Sequence, residues 1–282
     1  MFTRSDKSRT VPRNWAQSKA AKVYLQFRSF FFDPLVLLKK LRAAPHYIAN
    51  WAEYRRRNLN PRFRIRIGEL LFMTRDRFAS AGTAKGHYFL QDLWAARHLY
   101  VRGVREHMDV GSRVDGFVAH ILPFCRVTYV DLRPLPAALE NLEYRQGSLL
   151  DLPIEDSSAR SLSCLHVLEH VGLGRYGDPV DPEGYLRAAA ELSRVLAPGG
   201  VLLLSTPVGH ERLCFDAHRV FDPGTVAEAF GGLDLLEFHL IDDDGLRILP
   251  EASFEVARKC DYGCGLFVFS KLAGGGNGRV RP

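Results

Sequence analysis

The chain has 282 residues, 46% of them hydrophobic and 25% charged, and its net charge is +6. These proportions are those of a globular protein, and they exclude a disordered or collagen-like chain. No run of about 18 uncharged apolar residues is present and no signal-peptide pattern opens the chain, so we expect a cytoplasmic protein without a membrane span.

Positive charge is concentrated at the N-terminal end. Residues 1–77 contain 18 Lys and Arg against 5 Asp and Glu, a net +13, so the rest of the chain carries −7. The segments 22–42 and 53–66 interleave aromatic and cationic side chains at helical spacing. We predict a basic, mainly helical extension over residues 1–85. It either packs with its charges solvated or binds an anionic membrane surface or polyanionic carbohydrate; nucleic acid is less favoured, because no base-reading motif accompanies the charge.

From residue 86 the pattern changes to alternating helices and strands, which predicts a domain over residues 86–273. The predicted helices cover 87–100, 113–122, 181–196 and 223–230, and the predicted strands cover 106–110, 126–132, 142–149, 161–168, 201–207, 233–242 and 263–272. Such alternation is typical of an α/β fold with a doubly wound, mostly parallel sheet, here of seven strands. The glycine-rich residues 274–282 are predicted to form a flexible tail.

The stretch DVGSRVDGF, residues 109–117, has the form of a strand, a glycine turn and a helix, with Gly111 and Gly116 as its glycines. Ligands of doubly wound sheets bind beside this turn, at the carboxyl ends of the strands. A dinucleotide needs a glycine where Arg113 stands, because its pyrophosphate approaches the backbone closely. The loop therefore argues against a nicotinamide-dependent oxidoreductase and favours a nucleoside ligand without phosphates, such as S-adenosylmethionine.

Several residues are placed to bind that ligand. Asp131 ends the second strand, where its two carboxylate oxygens match both ribose hydroxyls. Ser148 and Leu149 follow the third strand and are expected beside the base, with Leu149 as an apolar wall. Asp109 and Gly111 are expected to face the amino-acid end of the ligand.

If the methyl group of this ligand is transferred to a hydroxyl group, a general base must remove the hydroxyl proton. Histidine is the usual residue for this role. Four histidines are predicted near the carboxyl edge of the sheet: His166, His170, His210 and His218. We expect His166 to lie beside the methionine part of the ligand. His218 is the preferred base, because Asp216 and Arg219 are close enough in sequence to orient it. The alternative is that His218 is a surface histidine without a catalytic role.

The glycine-rich segment 172–181 follows the fourth strand. One interpretation is a lid in which Arg175 and Tyr176 meet the substrate, with Arg219 also binding it. The other interpretation is a flexible loop without that role.

Two motifs carry a resemblance to a known superfamily. They are LHVLEHV, residues 165–171, and LAPGGVLLLSTP, residues 196–207. In this order after the glycine turn, they resemble class I S-adenosylmethionine-dependent methyltransferases. The resemblance implies a Rossmann-like methyltransferase fold and this cofactor, with Glu169 and His170 framing the site. Residues 86–272 also resemble an uncharacterised family catalogued as domain of unknown function 268, whose bacterial members resemble neighbours of surface-polysaccharide genes.

These observations predict an S-adenosylmethionine-dependent methyltransferase. We expect it to methylate an oxygen of a saccharide or another small polar acceptor in polysaccharide biosynthesis, with the basic arm at the inner face of a membrane. Arg113 replaces a superfamily glycine and Ser148 replaces an acid. Both departures favour the alternative of an inactive cofactor-binding scaffold or sensor.

The five cysteines are an odd number without a disulfide pattern, which predicts reduced thiols. Cys260 and Cys264 are the only close pair, and no second pair completes a tetrahedral set. The sequence therefore predicts no metal site.

Overall fold

The computed structural model describes residues 34–72, 78 and 82–272. The chain divides into two compact units, Met1–Gly82 and Thr83–Pro282. The first 33 residues of the predicted extension and the predicted tail over 274–282 lie outside the described residues. Among the helices that are described, none has the length and apolarity needed to cross a bilayer.

The described residues of the first unit form a helix and two short turns. Helix α1, Pro34–Arg57, ends in three arginines, which is the favourable end of the helix dipole for positive charge. The 3-10 turns Pro61–Phe63 and Ile67–Glu69 follow, and the Phe63 carbonyl accepts hydrogen bonds from the side chains of Tyr54 and Asn58. Large apolar side chains remain exposed between the cationic ones: Leu38, Leu41, Ile48, Leu59 and Ile67.

The described residues of the second unit form one eight-stranded sheet and a separate two-stranded hairpin. The strands of the sheet are β1 Glu106–Val110, β2 Arg126–Asp131, β3 Leu142–Gln146, β4 Ala159–Leu165, β5 Leu196–Val208, β8 Asp234–Ile241, β9 Ile248–Leu249 and β10 Gly263–Ser270; β6 Arg212–Cys214 and β7 His218–Val220 form the hairpin. The order across the sheet is β3-β2-β1-β4-β5-β10-β8-β9. Strands β1 to β5 are parallel, and β10 is antiparallel to both β5 and β8. The predicted fold class is confirmed, with one strand more than the predicted seven.

Helices cover the sheet on both faces. They are α2 His87–Val101, α3 Ala119–Ile121, α4 Gly184–Val195, α5 Pro223–Ala229 and α6 Phe254–Arg258, with a π-helical turn at Val114–Val118 before α3 and a 3-10 turn at Leu168–His170. In β10, Phe267 and Phe269 enter one apolar layer while Leu266 and Val268 enter the other. Because both faces are buried, the central strands are apolar runs rather than alternating ones.

The expected helix over 113–122 is broken at Gly116. This residue has non-helical φ and ψ angles of −121° and −110°. A Cβ atom here would lie 2.4 Å from Asp92 Oδ2, on α2. Gly116 therefore permits the close approach of α2 to the turn, which a helical periodicity cannot reveal.

A buried carboxylate anchors the turn after β1. Asp109 is fully buried and accepts hydrogen bonds from Ser112 N at 3.0 Å, from Ser112 Oγ at 2.6 Å and from Ser163 Oγ. Ser112 Oγ in turn accepts from Leu165 N at 3.1 Å. The carboxylate thus links β1, the following turn and β4, and the prediction that Asp109 faces the ligand is corrected: its oxygens are occupied inside the protein.

The same network continues to His107. Its Nε2 lies 2.8 Å from Ser163 Oγ, and its Nδ1 lies 2.7 Å from Ser161 Oγ. Since the Ser163 hydroxyl donates to Asp109, Ser163 Oγ accepts from Nε2–H, and Nδ1 accepts from Ser161. Burial lowers the pKa of His107 to about 3, so the ring is neutral. Burial also raises the pKa of Asp109 to about 7, against hydrogen bonds from Ser112 and Ser163 that lower it.

A pH series on Asp109→Asn tests this description. A folded-state pKa near 7 lies above the ordinary aspartate value, so the folded state gains stability by holding a proton. That contribution is complete below the unfolded pKa and is lost as the pH rises through 7. The wild type should therefore become more stable relative to Asp109→Asn as the pH falls from about 8 to about 5, measured by urea unfolding.

Asp115→Asn is the control, because Asp115 is exposed and its hydrogen bond with Arg113 lowers the pKa of its carboxyl. Its stability difference from the wild type should not change over the same range. A flat difference for Asp109→Asn would contradict the raised pKa.

Candidate functional site

A cleft of about 340 Å³ opens at the carboxyl ends of β1, β2 and β4. This is the edge at which ligands of doubly wound sheets bind. Seven of the sequence-predicted site residues line it: Gly111, Asp131, Ser148, Leu149, His166, His170 and Tyr176. Asp109, Gly116, Arg175, His218 and Arg219 do not line it.

Gly111 exposes bare backbone to the cleft. It follows β1 directly, its φ is +74°, and its N–H donates to Val130 O at 2.9 Å. A Cβ atom would lie 3.0 Å from Val167 Cγ1, across the turn. Glycine is needed both for the left-handed conformation and for this approach.

Asp131 ends β2 on the next wall of the cleft, with 8% of its surface exposed. Its carboxylate accepts from Tyr129 Oη at 2.8 Å and from three groups of Arg133: the backbone N at 2.8 Å, Nε at 3.0 Å and Nη2 at 2.8 Å. These donors fill the roughly four acceptor positions of a carboxylate. Burial alone would raise the pKa of Asp131, but the hydrogen bonds from Arg133 and Tyr129 hold it below the ordinary value. The group is ionised.

The turn after β3 supplies an apolar surface. Ser148 Oγ accepts from Leu150 N at 3.1 Å, so this hydroxyl shapes the turn. Leu149 and Leu150 line the cleft beside it, and Leu149 is packed in the core. Gly147 also lines the cleft, and its N–H donates to Asp131 O at 3.1 Å. The turn is thereby joined to the end of β2.

Glu169 is a buried acid at the base of the site, with 1% of its surface exposed. Its Oε1 lies 2.6 Å from His166 Nδ1 and 3.7 Å from His170 Nε2, and its Oε2 accepts from Thr206 Oγ1 at 3.3 Å. Burial opposes ionisation of both partners. The mutual attraction of Glu169 and His166 prevails, lowering the pKa of Glu169 and raising that of His166.

His170 presents one nitrogen as a proton acceptor. Its Nδ1 lies 2.6 Å from Ala217 O, and because a carbonyl only accepts, Nδ1 carries the hydrogen. The neutral ring therefore has its lone pair on Nε2, the nitrogen near Glu169. The ring lies in the cleft wall and meets that of Tyr176 edge to face at 5.4 Å.

His218 lies in β7, where it pairs with Cys214 of β6. Its ring contacts that of Tyr262 at a centroid distance of 5.0 Å, and burial lowers its pKa. Asp216 and Arg219 are not among its hydrogen-bond partners. Arg219 donates to backbone carbonyls instead, so it does not orient His218 as expected.

Arg219 and Arg175 support the loop after β4. Arg219 donates to Val171 O at 2.7 Å and to Pro182 O at 3.1 Å, while Arg175 donates to Ala217 O at 3.1 Å. Both guanidinium groups are thus engaged by backbone carbonyls outside the cleft wall. Their contact with a substrate stays a prediction.

Hydrogen bonds within the glycine-rich loop 172–181 connect its two ends. Asp178 accepts from Gly172 N at 2.6 Å, and the N–H of Asp181 donates to Gly172 O at 2.9 Å. Tyr176 and Asp178 both reach the cleft. Tyr176 also lies under the guanidinium of Arg133, 4.9 Å from its ring centre.

Sequence reasoning missed two cleft residues that matter for its chemistry. Arg133 stands two residues after Asp131, and this spacing at a strand end was an available signal. Tyr88, in the first turn of α2, lies under Arg113 at 5.0 Å, and no local pattern distinguishes it from a packing residue.

Two sequence families match the chain. The family described as a methyltransferase domain matches residues 108–204, from β1 into β5. The family described as a Caenorhabditis protein of unknown function, DUF268, matches residues 159–252. A search of curated proteins found no match.

Solved structures are similar in fold. The cyclase SpnF is 15% identical with a TM-score of 0.49, over 65% of this chain and 81% of that one. The Burkholderia thailandensis 1,6-didemethyltoxoflavin-N1-methyltransferase, with bound S-adenosylhomocysteine, is 17% identical with a TM-score of 0.47, over 64% and 78%. The N-methyltransferase NodS from Bradyrhizobium japonicum is 18% identical with a TM-score of 0.45, over 64% and 84%. At these values the similarity carries no argument about the reaction.

Proposed function

We propose that this chain, which matches the methyltransferase domain family over residues 108–204, is an S-adenosylmethionine-dependent methyltransferase. Its acceptor is an oxygen of a saccharide or another small polar molecule in cell-surface polysaccharide synthesis. The observation that carries the proposal is the cleft at the carboxyl ends of β1, β2 and β4. There the bare backbone of Gly111 and the ionised carboxylate of Asp131 border one space.

The residues present fit this cofactor. Gly111 leaves room for the amino-acid part against the backbone, and Leu149 and Leu150 give an apolar surface for the base. Asp131 is the acceptor for the ribose hydroxyls, although its lone pairs are already occupied. When the cofactor binds, the Arg133 side chain would move away and release the lone pairs of Asp131 that it occupies. Arg133 is the donor that can move, because it is half exposed whereas Tyr129 is buried.

His170 is the proposed general base. When bound, S-adenosylmethionine supplies a methyl group on a positively charged sulfur. His170 Nε2 would accept the proton of the acceptor hydroxyl, and Glu169 Oε1, 3.7 Å away, would stabilise the positive ring that results. Alignment of the acceptor in the cleft would contribute further acceleration.

Two features of the cleft support a saccharide acceptor. Tyr88 and Tyr176 both present aromatic rings to it, and sugars pack their apolar faces on such rings. Arg113 and Arg133 lie over these two rings. Each guanidinium is also paired with a carboxylate, Arg113 with Asp115 and Arg133 with Asp131, so this rim suits a polar acceptor.

The first unit is proposed to bind an anionic membrane surface at the cytoplasmic face. Arg55, Arg56 and Arg57 form the last turn of α1, and exposed Leu38 and Leu41 lie on the same helix. Basic and apolar side chains together are the composition of interfacial helices. No role for nucleic acid is proposed.

Substitutions at the end of β2 test cofactor binding. Asp131→Asn should weaken binding of S-adenosylmethionine and S-adenosylhomocysteine about 10-fold or more in isothermal titration, because charged hydrogen bonds to the ribose are lost. Arg133→Met should tighten binding, because Asp131 is then free without displacement of a guanidinium. Arg145→Met, which removes a surface partner of Glu143, is the control and should change nothing. If the wild type binds neither ligand, the proposed function is wrong. If Asp131→Asn binds both with unchanged affinity, Asp131 does not bind the ribose.

Two histidine variants test the base. His170→Gln should lower kcat by about 10²- to 10⁴-fold and leave cofactor affinity unchanged, because glutamine can still bond Ala217 O but cannot accept the proton. His218→Gln should keep most of the activity. The assay is transfer of labelled methyl groups into the saccharide fraction of a cell-envelope extract. Loss in His218→Gln with activity kept in His170→Gln would move the base to His218, and binding without any transfer would favour the scaffold function.

Vesicle binding tests the membrane proposal. The full chain should sediment with vesicles that contain anionic lipid and not with neutral ones. Replacing Arg55, Arg56 and Arg57 by Gln should reduce binding by roughly fivefold per arginine, from about 1 kcal/mol each. Arg145→Gln is the control for loss of one surface charge. Equal binding to neutral vesicles would contradict the proposal.

A further inference from the structure

Three metal-ligating side chains meet at one end of the sheet. They are His87, the first residue of α2; His166, the first residue after β4; and Cys264, in β10. Each offers one ligand atom, and these atoms all lie within 4.8 Å of one another. His166 and Cys264 are buried and His87 is half-buried. Three separate elements thus bring two nitrogens and one sulfur to a common point.

The Nε2 atom of His166 gives a second, independent indication of a ligand. His166 is 7% exposed, and this nitrogen is a buried polar atom without a hydrogen-bond partner among the described residues. Buried polar groups are nearly always paired, so an orphaned one requires an explanation. A bound ion supplies the missing partner.

Hydrogen bonds on the far sides of the rings orient both histidines as ligands. Glu169 Oε1 accepts a hydrogen bond from His166 Nδ1–H at 2.6 Å, the carboxylate–histidine arrangement that supports metal ligands, and a metal ion would displace the proton on Nε2 to solvent. His87 Nε2 lies 3.1 Å from Tyr262 O, which accepts only, so the lone pair of His87 is on Nδ1. Each ring keeps one nitrogen for a cation.

We propose that His87, His166 and Cys264 bind a zinc ion. Two imidazoles and one thiolate are a donor set that selects Zn²⁺ in tetrahedral geometry. The Cys264 thiol loses its proton to solvent as the zinc–sulfur bond forms. Gln91 Oε1 lies 3.9 Å from Cys264 Sγ, and this oxygen or a water completes the four ligands.

The zinc would join the start of α2 to β4 and β10. Tyr88 follows His87 directly and lines the cleft, so the ion would hold this ring in the wall. His166 also lines the cleft, so the proposed ion would adjoin the site of the proposed methyl transfer without taking part in its chemistry. The proposal differs from the expectation of no metal site, which rested on the spacing of Cys260 and Cys264: Cys260 is not part of the cluster, and the histidines are distant in sequence.

A second cluster in the described residues provides a matched comparison. His98, Glu237 and His239 also have ligand atoms within 4.8 Å of one another. Here His239 Nε2 already contacts Glu237 at 3.0 Å, and Arg102 contacts the same carboxylate at 3.4 Å. The nearby guanidinium and the existing pairs disfavour a cation.

The test is metal content of the full chain, purified without a histidine tag and dialysed with a weak chelator. The wild type should hold one zinc per chain by mass spectrometry, and Co²⁺ in its place should show a thiolate charge-transfer absorption. Cys264→Ser and His87→Gln should each lose the metal and the absorption. Cys260→Ser and His98→Gln should keep both.

Circular dichroism establishes that each variant is folded, and if Cys264→Ser does not fold, His87→Gln decides. Three results would overturn the proposal: no stoichiometric metal in the wild type, metal kept in a folded Cys264→Ser or His87→Gln protein, or metal lost in His98→Gln. Cofactor titration of the same samples is a separate readout, so failure of the zinc site and failure of the proposed function are distinguishable.

Discussion

The buried carboxylate of Asp109 is the interaction on which the cleft depends. It satisfies donors from the turn at Ser112 and from β4 at Ser163, and so fixes the distance between two parallel strands where they end. Without these bonds, the donors would be unpaired in the interior, which is costly. The turn that contains Gly111 is held in place by the hydrogen bonds of Asp109. Asp109 thus shapes the cleft although it is itself buried and cannot contact a ligand.

Glu169 connects side chains from three separate segments of the site. One oxygen contacts both His166 and His170, and the other accepts from Thr206 in β5. A single buried charge thus orients a ring at the end of β4 and lies ready to balance a charge on the ring in the cleft wall. These contacts offset the burial that opposes ionisation of this acid.

The sheet was predictable because its strands are apolar runs separated by polar turns, and β1 and the end of β2 at Asp131 lie where the sequence places them. The contacts of His218 and Arg219 were less predictable. The hairpin that contains His218 pairs it with Cys214 across a short turn without glycine, and Arg219 bonds carbonyls nearly 50 residues away. Contacts between side chains and distant backbone leave no local pattern. The cluster of His87, His166 and Cys264 joins three elements in the same non-local way.

Strand β10 lies between β5 and β8 although it is the last of the described strands in chain order. During synthesis, β8 therefore has no neighbour on its inner side until β10 has been made. Until then the sheet is open between β5 and β8, and its apolar faces there are uncovered. An interrupted translation would release a chain with an open sheet edge, the kind of surface that chaperones cover and that otherwise aggregates.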